Sequence, residues 1–161
     1  MVQSSQGELD QMTTKAIQPE TLSSKQMDQW EQVGQKLLTL AEEIPESKFE
    51  YPPVQGVRTP AEVLRHVAFW NQYVADRARG KNGDDAANEL PKDKFSTKKQ
   101  ILNALKRSTA EALTASKERE SGLTSDIAEM LMTFIEHNCE HYGQLVVYAR
   151  MNGIVLPASR G

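Results

Sequence analysis

The stretch Met130–Tyr148, MLMTFIEHNCEHYGQLVVY, decides the fold. Met130, Phe134, His137, His141, Leu145 and Tyr148 follow one another at steps of four, three, four, four and three. A helix lines such positions along one face, because side chains three and four apart rise from adjacent turns. Two histidines therefore stand where the pattern asks for core residues, one turn apart.

Working outward, this helix starts near Thr124 to Asp126 and runs to about Asn152, with Gly153 placed as its C-terminal cap. Before it, a third helix opens at Thr97 with Gln100 in capping-box spacing. Ile101, Leu102, Leu105, Ala112 and Leu113 form its apolar face, and Gly122 marks its end. The second helix opens on Thr59-Pro60-Ala61-Glu62, with Thr as N-cap, Pro at the first helical position and Glu as the box partner. It runs to about Arg79 and stops at Gly80. Val63, Val67, Trp70 and Val74 make its stripe, with His66, Phe69 and Tyr73 alongside. The first helix spans Ser23 to Ile44, with Ser23 and Gln26 in box spacing, an apolar line from Met27 through Trp30, Val33, Leu37 and Leu40, and Pro45 as its stop. The link 45–58 reads as irregular and the stretch 81–95 as a mobile surface loop. No convincing strand is visible.

Four amphipathic helices of this length bury their stripes only against one another. The expected fold is all-α, a four-helix bundle over residues 22–156, with a polar tail at 1–21 and a short tail at 157–161. The short turn at Gly122 predicts that the third and fourth helices are antiparallel neighbours.

Composition narrows the function. At 161 residues and 39% hydrophobic content, one domain can bury a core without staples. Cys139 is the lone cysteine, so no intrachain disulfide forms. A net charge of −3 with no basic run argues against nucleic acid as a partner. No apolar stretch approaches the roughly 20 residues that span a bilayer, so no membrane association is expected. The N-terminus carries no apolar signal core, and the expected location is cytoplasmic.

The chemistry lies in the histidines. His137 and His141, at i and i+4, are able to converge on one ion at the roughly 2.0–2.1 Å that zinc requires. The remaining histidine, His66, sits beside the stripe of the second helix. Facing helices about 8–10 Å apart let side chains from both meet between them. A histidine on an apolar face is more often a hydrogen-bonded core residue, so metal ligation and unmetallated core rings both stay open. His137-Asn138-Cys139-Glu140-His141 also spells H-x-x-E-H, an inverted zincin string. That reading needs a further carboxylate well downstream, and only twenty residues follow. Glu140 points about 100° away from His141 around the helix and reads as a solvated carboxylate. Cys139, nearly opposite His137, reads as an inert packed or interfacial thiol. Gln144 and Tyr148 are candidates to hold an imidazole in one tautomer. Glu62 is a weak candidate base, being already claimed by its cap. Trp70 and Tyr73 read as core before substrate contacts.

The string Glu136-His137-Asn138-Cys139-Glu140-His141-Tyr142-Gly143-Gln144-Leu145 resembles the last-helix signature of the DinB-like superfamily. Thr59-Pro60-Ala61-Glu62-Val63-Leu64-Arg65-His66-Val67 resembles that family's other histidine helix, and Tyr148 to Ile154 fits its ending. The likeness covers about residues 22–156. It implies a four-helix bundle with a three-histidine centre of His66, His137 and His141, holding a divalent ion such as zinc, nickel or iron. It also implies a homodimer and a small-molecule substrate. Relatives with assigned activity include bacillithiol S-transferases and mycothiol-dependent isomerases, which implies a low-molecular-weight thiol as a second cofactor. On a three-imidazole centre an open position can activate water, as in a hydrolase, or a thiol, as in a transferase. The alternative is a non-catalytic bundle with a structural metal or a dimerising role.

Overall fold

The computed structural model describes residues 22–118 and 124–160. Within them lie helices α1 (Leu22–Glu43), α2 (Glu46–Phe49), α3 (Pro60–Ala78), α4 (Lys98–Lys117) and α5 (Ser125–Met151), with a 3-10 turn at Pro157–Ser159. The four long helices form the expected bundle, and no strand occurs among the described residues. Helix α2 is one turn inside the link read as irregular. The polar tail 1–21, Gly122 and the Ser23 side chain lie outside what is described.

The start signals of the middle helices act as written. Thr59 Oγ1 accepts from the Glu62 amide at 3.1 Å, and Glu62 Oε2 accepts from the Thr59 amide at 2.7 Å. Thr97 and Gln100 make the same reciprocal pair at 3.3 and 3.0 Å. Each box satisfies donors that a helix start leaves without intrahelical partners. Gly80 and Gly153 end their helices at φ of 76° and 71°, a left-handed conformation open to glycine at little cost.

Trp30, Leu37, Leu64, Val67, Leu105, Leu131 and Leu145 are shut off from solvent. Full burial of such a side chain contributes roughly 1.5–3 kcal/mol. Trp30 Nε1 donates to the Thr109 carbonyl at 3.0 Å, fastening α1 to α4. Gln26 Nε2 donates to the Ala128 carbonyl at 3.3 Å, fastening α1 to α5. Gly34 lets α1 come close to α4: a Cβ there would lie 2.4 Å from Thr109 Cγ2.

The arrangement corrects one expectation. Helix α1 packs on α4 and α5, and α3 packs on the same two. Helices α4 and α5, read as neighbours across Gly122, stand at opposite corners instead. Seven residues separate Lys117 from Ser125. They reach about 23 Å when extended, more than the roughly 11–14 Å diagonal of a bundle with 8–10 Å sides. A short connection therefore did not force adjacency. The placement of α4 and α5 at opposite corners sets α3 beside α5, which brings the histidine helices together.

The 81–95 stretch is a mostly exposed loop, as read, and it carries one buried anchor. Leu90 is buried against Ala68, Phe69 and Ala104, and its amide donates to the Arg65 carbonyl at 3.4 Å. Its polar composition concealed this apolar anchor.

Thr59→Ala removes the acceptor that starts α3. It is expected to lower the unfolding free energy by about 1 kcal/mol in a urea titration; an unchanged midpoint and slope would show the cap to be dispensable.

Candidate metal centre

His66 lies two turns into α3 and is buried, while His137 and His141 project half-buried from α5. The structure brings all three together. His66 Nε2 and His137 Nε2 are 3.0 Å apart, and one nitrogen from each ring lies within 4.8 Å of the others. Ring centroids are separated by 4.5 to 5.0 Å.

The outward nitrogens are each tied off. His66 Nδ1 lies 2.6 Å from the Asn88 carbonyl oxygen. A carbonyl only accepts, so this ring carries its proton on Nδ1 and bares a lone pair on Nε2. His137 Nδ1 lies 3.2 Å from Asn138 Oδ1, and the polarity of that contact can be traced across three helices. The Leu105 carbonyl accepts from Thr109 Oγ1 at 2.9 Å. Thr109 Oγ1 in turn accepts from Asn71 Nδ2 at 3.2 Å. Asn71 Oδ1 accepts from Asn138 Nδ2 at 3.1 Å. Asn138 thus presents oxygen to His137, which must donate from Nδ1. Asn71 and Asn138 are wholly buried, where an unpartnered amide would be costly. His141 Nδ1 lies 2.9 Å from Gln144 Oε1, and Gln144 Nε2 donates to the Tyr148 hydroxyl at 2.7 Å.

Burial depresses the basicity of all three rings. Desolvation is the main cause of a His66 pKa pushed down to about 4, partly opposed by the bond to Asn88. His137 and His141 are lowered as well, again mainly by burial. Arg58, just ahead of the α3 cap, adds positive potential at every ring, while Glu140 acts in the opposite sense on His137 and His141. At neutral pH these are neutral imidazoles.

Two neutral rings with both protons on Nδ1 cannot hydrogen-bond through Nε2, so the 3.0 Å approach sets lone pair against lone pair. A cation between them relieves that repulsion. Two ligands at about 2.05 Å from a tetrahedral ion stand about 3.3 Å apart. The donor set therefore fits a divalent ion that accepts nitrogen, and the three-histidine group is able to hold one.

A family model of the DinB superfamily matches residues 29–145, a span that includes all three histidines. The chain belongs to the DinB superfamily. A search of curated proteins returned no match.

Gln144 and Tyr148 stand behind His141, as the spacing suggested. Glu140 and Cys139 are exposed. For Cys139 this corrects a packed position: within the chain it faces solvent. The Glu62 carboxylate is committed to its cap. The line of deepest burial on α5 runs through Ile127, Leu131, Ile135 and Asn138. The Met130–Phe134–His137–His141 line lies one residue over, at the edge of the core. Trp70 and Phe134 stack there at 5.5 Å, Tyr73 joins both, and Phe134 sets an edge against His137 at 5.7 Å.

Sequence reasoning missed Asn71, Asn88 and Asn138. Asn138 stood inside the histidine string but was given no role. Asn71 lies five residues beyond His66, off its face. Asn88 acts through its backbone carbonyl, which no side-chain pattern reveals.

Asn138→Ala is expected to weaken zinc binding roughly 10- to 100-fold, as loss of a partner behind a ligand typically does; equal affinity in a competition titration would dismiss the relay. The pH dependence follows from the depressed ring pKa values. An unfolded histidine titrates near 6.5, so between about 6.5 and 4 the unfolded chain binds more protons and stability falls with falling pH. Ion-free protein should therefore lose more Tm from pH 7 to 4.5 than a His66→Gln variant does. Equal losses would contradict this.

Proposed function

We propose that this chain is a metal-dependent enzyme in which His66, His137 and His141 hold one divalent ion against a small-molecule substrate. One observation supports the reading: one nitrogen of each ring lies within 4.8 Å of the others, with His66 Nε2 and His137 Nε2 3.0 Å apart, while each Nδ1 meets its own acceptor. A bound ion supplies Lewis acidity, which lowers the pKa of water or ionises a thiol at a position the protein leaves open. Both the hydrolase and the thiol-S-transferase versions rest on that activation.

The chain's own groups define the surroundings. Asn88, Asn138 and Gln144 keep the rings oriented. Trp70, Tyr73 and Phe134 form an aromatic wall that limits water on one side. No hydrogen bond or ion pair joins Arg58 to another described residue, and its charge suits a reactant with an anionic group. Imidazole ligands suit zinc, nickel and iron alike. The half-exposed rings of His137 and His141 favour a reactive centre over a structural ion, which would be closed in. A homodimer and a low-molecular-weight thiol are proposed from the family resemblance.

Elemental analysis of the purified protein tests the centre. Near one divalent ion per chain is expected, falling to background in His137→Ala and unchanged in Cys139→Ser. Unaltered metal in His137→Ala would refute the ligand set. Hydrolysis and thiol-transfer assays with and without chelator then test the activity: turnover abolished by chelation and restored by zinc or nickel is the expected result, and turnover indifferent to chelator would refute metal dependence.

A further inference from the structure

The loop between α3 and α4 reaches the centre through one residue in an unusual conformation. Asn88 has φ of 59° and is not glycine. Such a residue is held there by its surroundings, and asparagine tolerates the region better than most. Its carbonyl meets His66, and its side-chain Oδ1 accepts from Trp70 Nε1 at 3.0 Å.

The residue beside His66 grips the residue beside Asn88. Arg65 is wholly buried. Its Nε donates to Glu89 Oε1 at 2.7 Å and its Nη1 to Glu50 Oε1 at 2.9 Å. Nη1 also lies 3.3 Å from the Phe95 carbonyl at the far end of the loop. Lys92 Nζ closes on the other Glu50 oxygen at 2.9 Å. Consecutive residues of α3, 65 and 66, therefore hold consecutive loop residues, 89 and 88. A buried guanidinium is tolerated only while paired, and its Nη2 has no partner even so. Release of Glu89 would leave Arg65 still less satisfied, so the clamp resists opening.

We propose that Arg65 is a positioning residue for the centre, holding the Asn88 carbonyl on His66 through Glu89, so that ion binding and ordering of residues 86–90 are coupled. The coupling rests on the ligand assignment above. It is reciprocal: whatever binding energy the ordered loop lends to the ion, the ion returns to the loop.

The experiment uses the full chain with zinc, and with nickel and ferrous iron as further ions for wild-type binding. Amide hydrogen exchange at residues 86–90 is measured with and without zinc, and zinc affinity is measured for wild type, Glu89→Gln and Arg65→Lys. Glu89→Gln removes the charge from a partly exposed side chain and should fold even if Arg65→Lys does not. Expected are exchange slowed several-fold by zinc in wild type, and affinity about 10-fold weaker in Glu89→Gln, a loss larger than its fall in ion-free Tm accounts for. Wild-type affinity in Glu89→Gln, or exchange indifferent to zinc, would overturn the coupling while leaving the centre standing. Affinity lost only in step with ion-free stability would assign Arg65 to the fold alone and equally overturn it. Failure of wild type to bind zinc, nickel or iron would remove the centre itself, and the coupling with it.

Discussion

An imidazole offers two nitrogens, and a ring can serve a common centre only if its other nitrogen is occupied elsewhere. Three separate acceptors meet that constraint here. One is a main-chain carbonyl of a loop, one an asparagine linked through α3 to α4, and one a glutamine seated on a tyrosine. Together they turn three bases toward one point, at a place where burial keeps protons from competing for the lone pairs. Without those acceptors the rings would be free to rotate or to pair with one another, and their proximity alone would define no chemistry.

The bundle exists in the form that makes this arrangement possible. Helices α3 and α5 lie side by side because α4 and α5 stand at opposite corners of the bundle. Had the last connection joined neighbours, as its shortness suggests, the geometry tying His66 to His137 would need a different set of contacts. The aromatic cluster of Trp70, Tyr73 and Phe134 occupies the same seam. It makes the α3–α5 contact continuous from the core to the edge where His137 and His141 emerge.

Much of this was legible in the residues. The Thr59-Pro60-Ala61-Glu62 and Thr97 to Gln100 signals work through local hydrogen bonds, so sequence distance of three residues suffices to read them. The histidine spacing is likewise a property of one helix. What could not be read depends on groups distant in sequence or without a side-chain signature. The link from Asn138 to Asn71 spans 67 positions. The Asn88 carbonyl would exist whatever residue stood there. Glu89 and Leu90 look like ordinary loop composition until Arg65 and Ala68 are placed beneath them. In the α5 stripe Leu145 and Tyr148 are buried as read, while Met130, Phe134, His137 and His141 lie beside the deepest line for a related reason: periodicity finds a face, but the neighbouring helices decide which edge of it is deepest.

Helix α1 carries no histidine, yet it is not a bystander. Gly34 leaves just enough room for Thr109, and Thr109 is the hydroxyl on which the amide chain to His137 turns. Crowding at that crossing would rotate the hydroxyl away from Leu105 and reverse or break the polarity passed along Asn71 and Asn138. The hydrogen-bond polarity that reaches His137 at one edge of the molecule thus depends in part on the absence of a methyl group at a helix crossing that holds none of the three histidines.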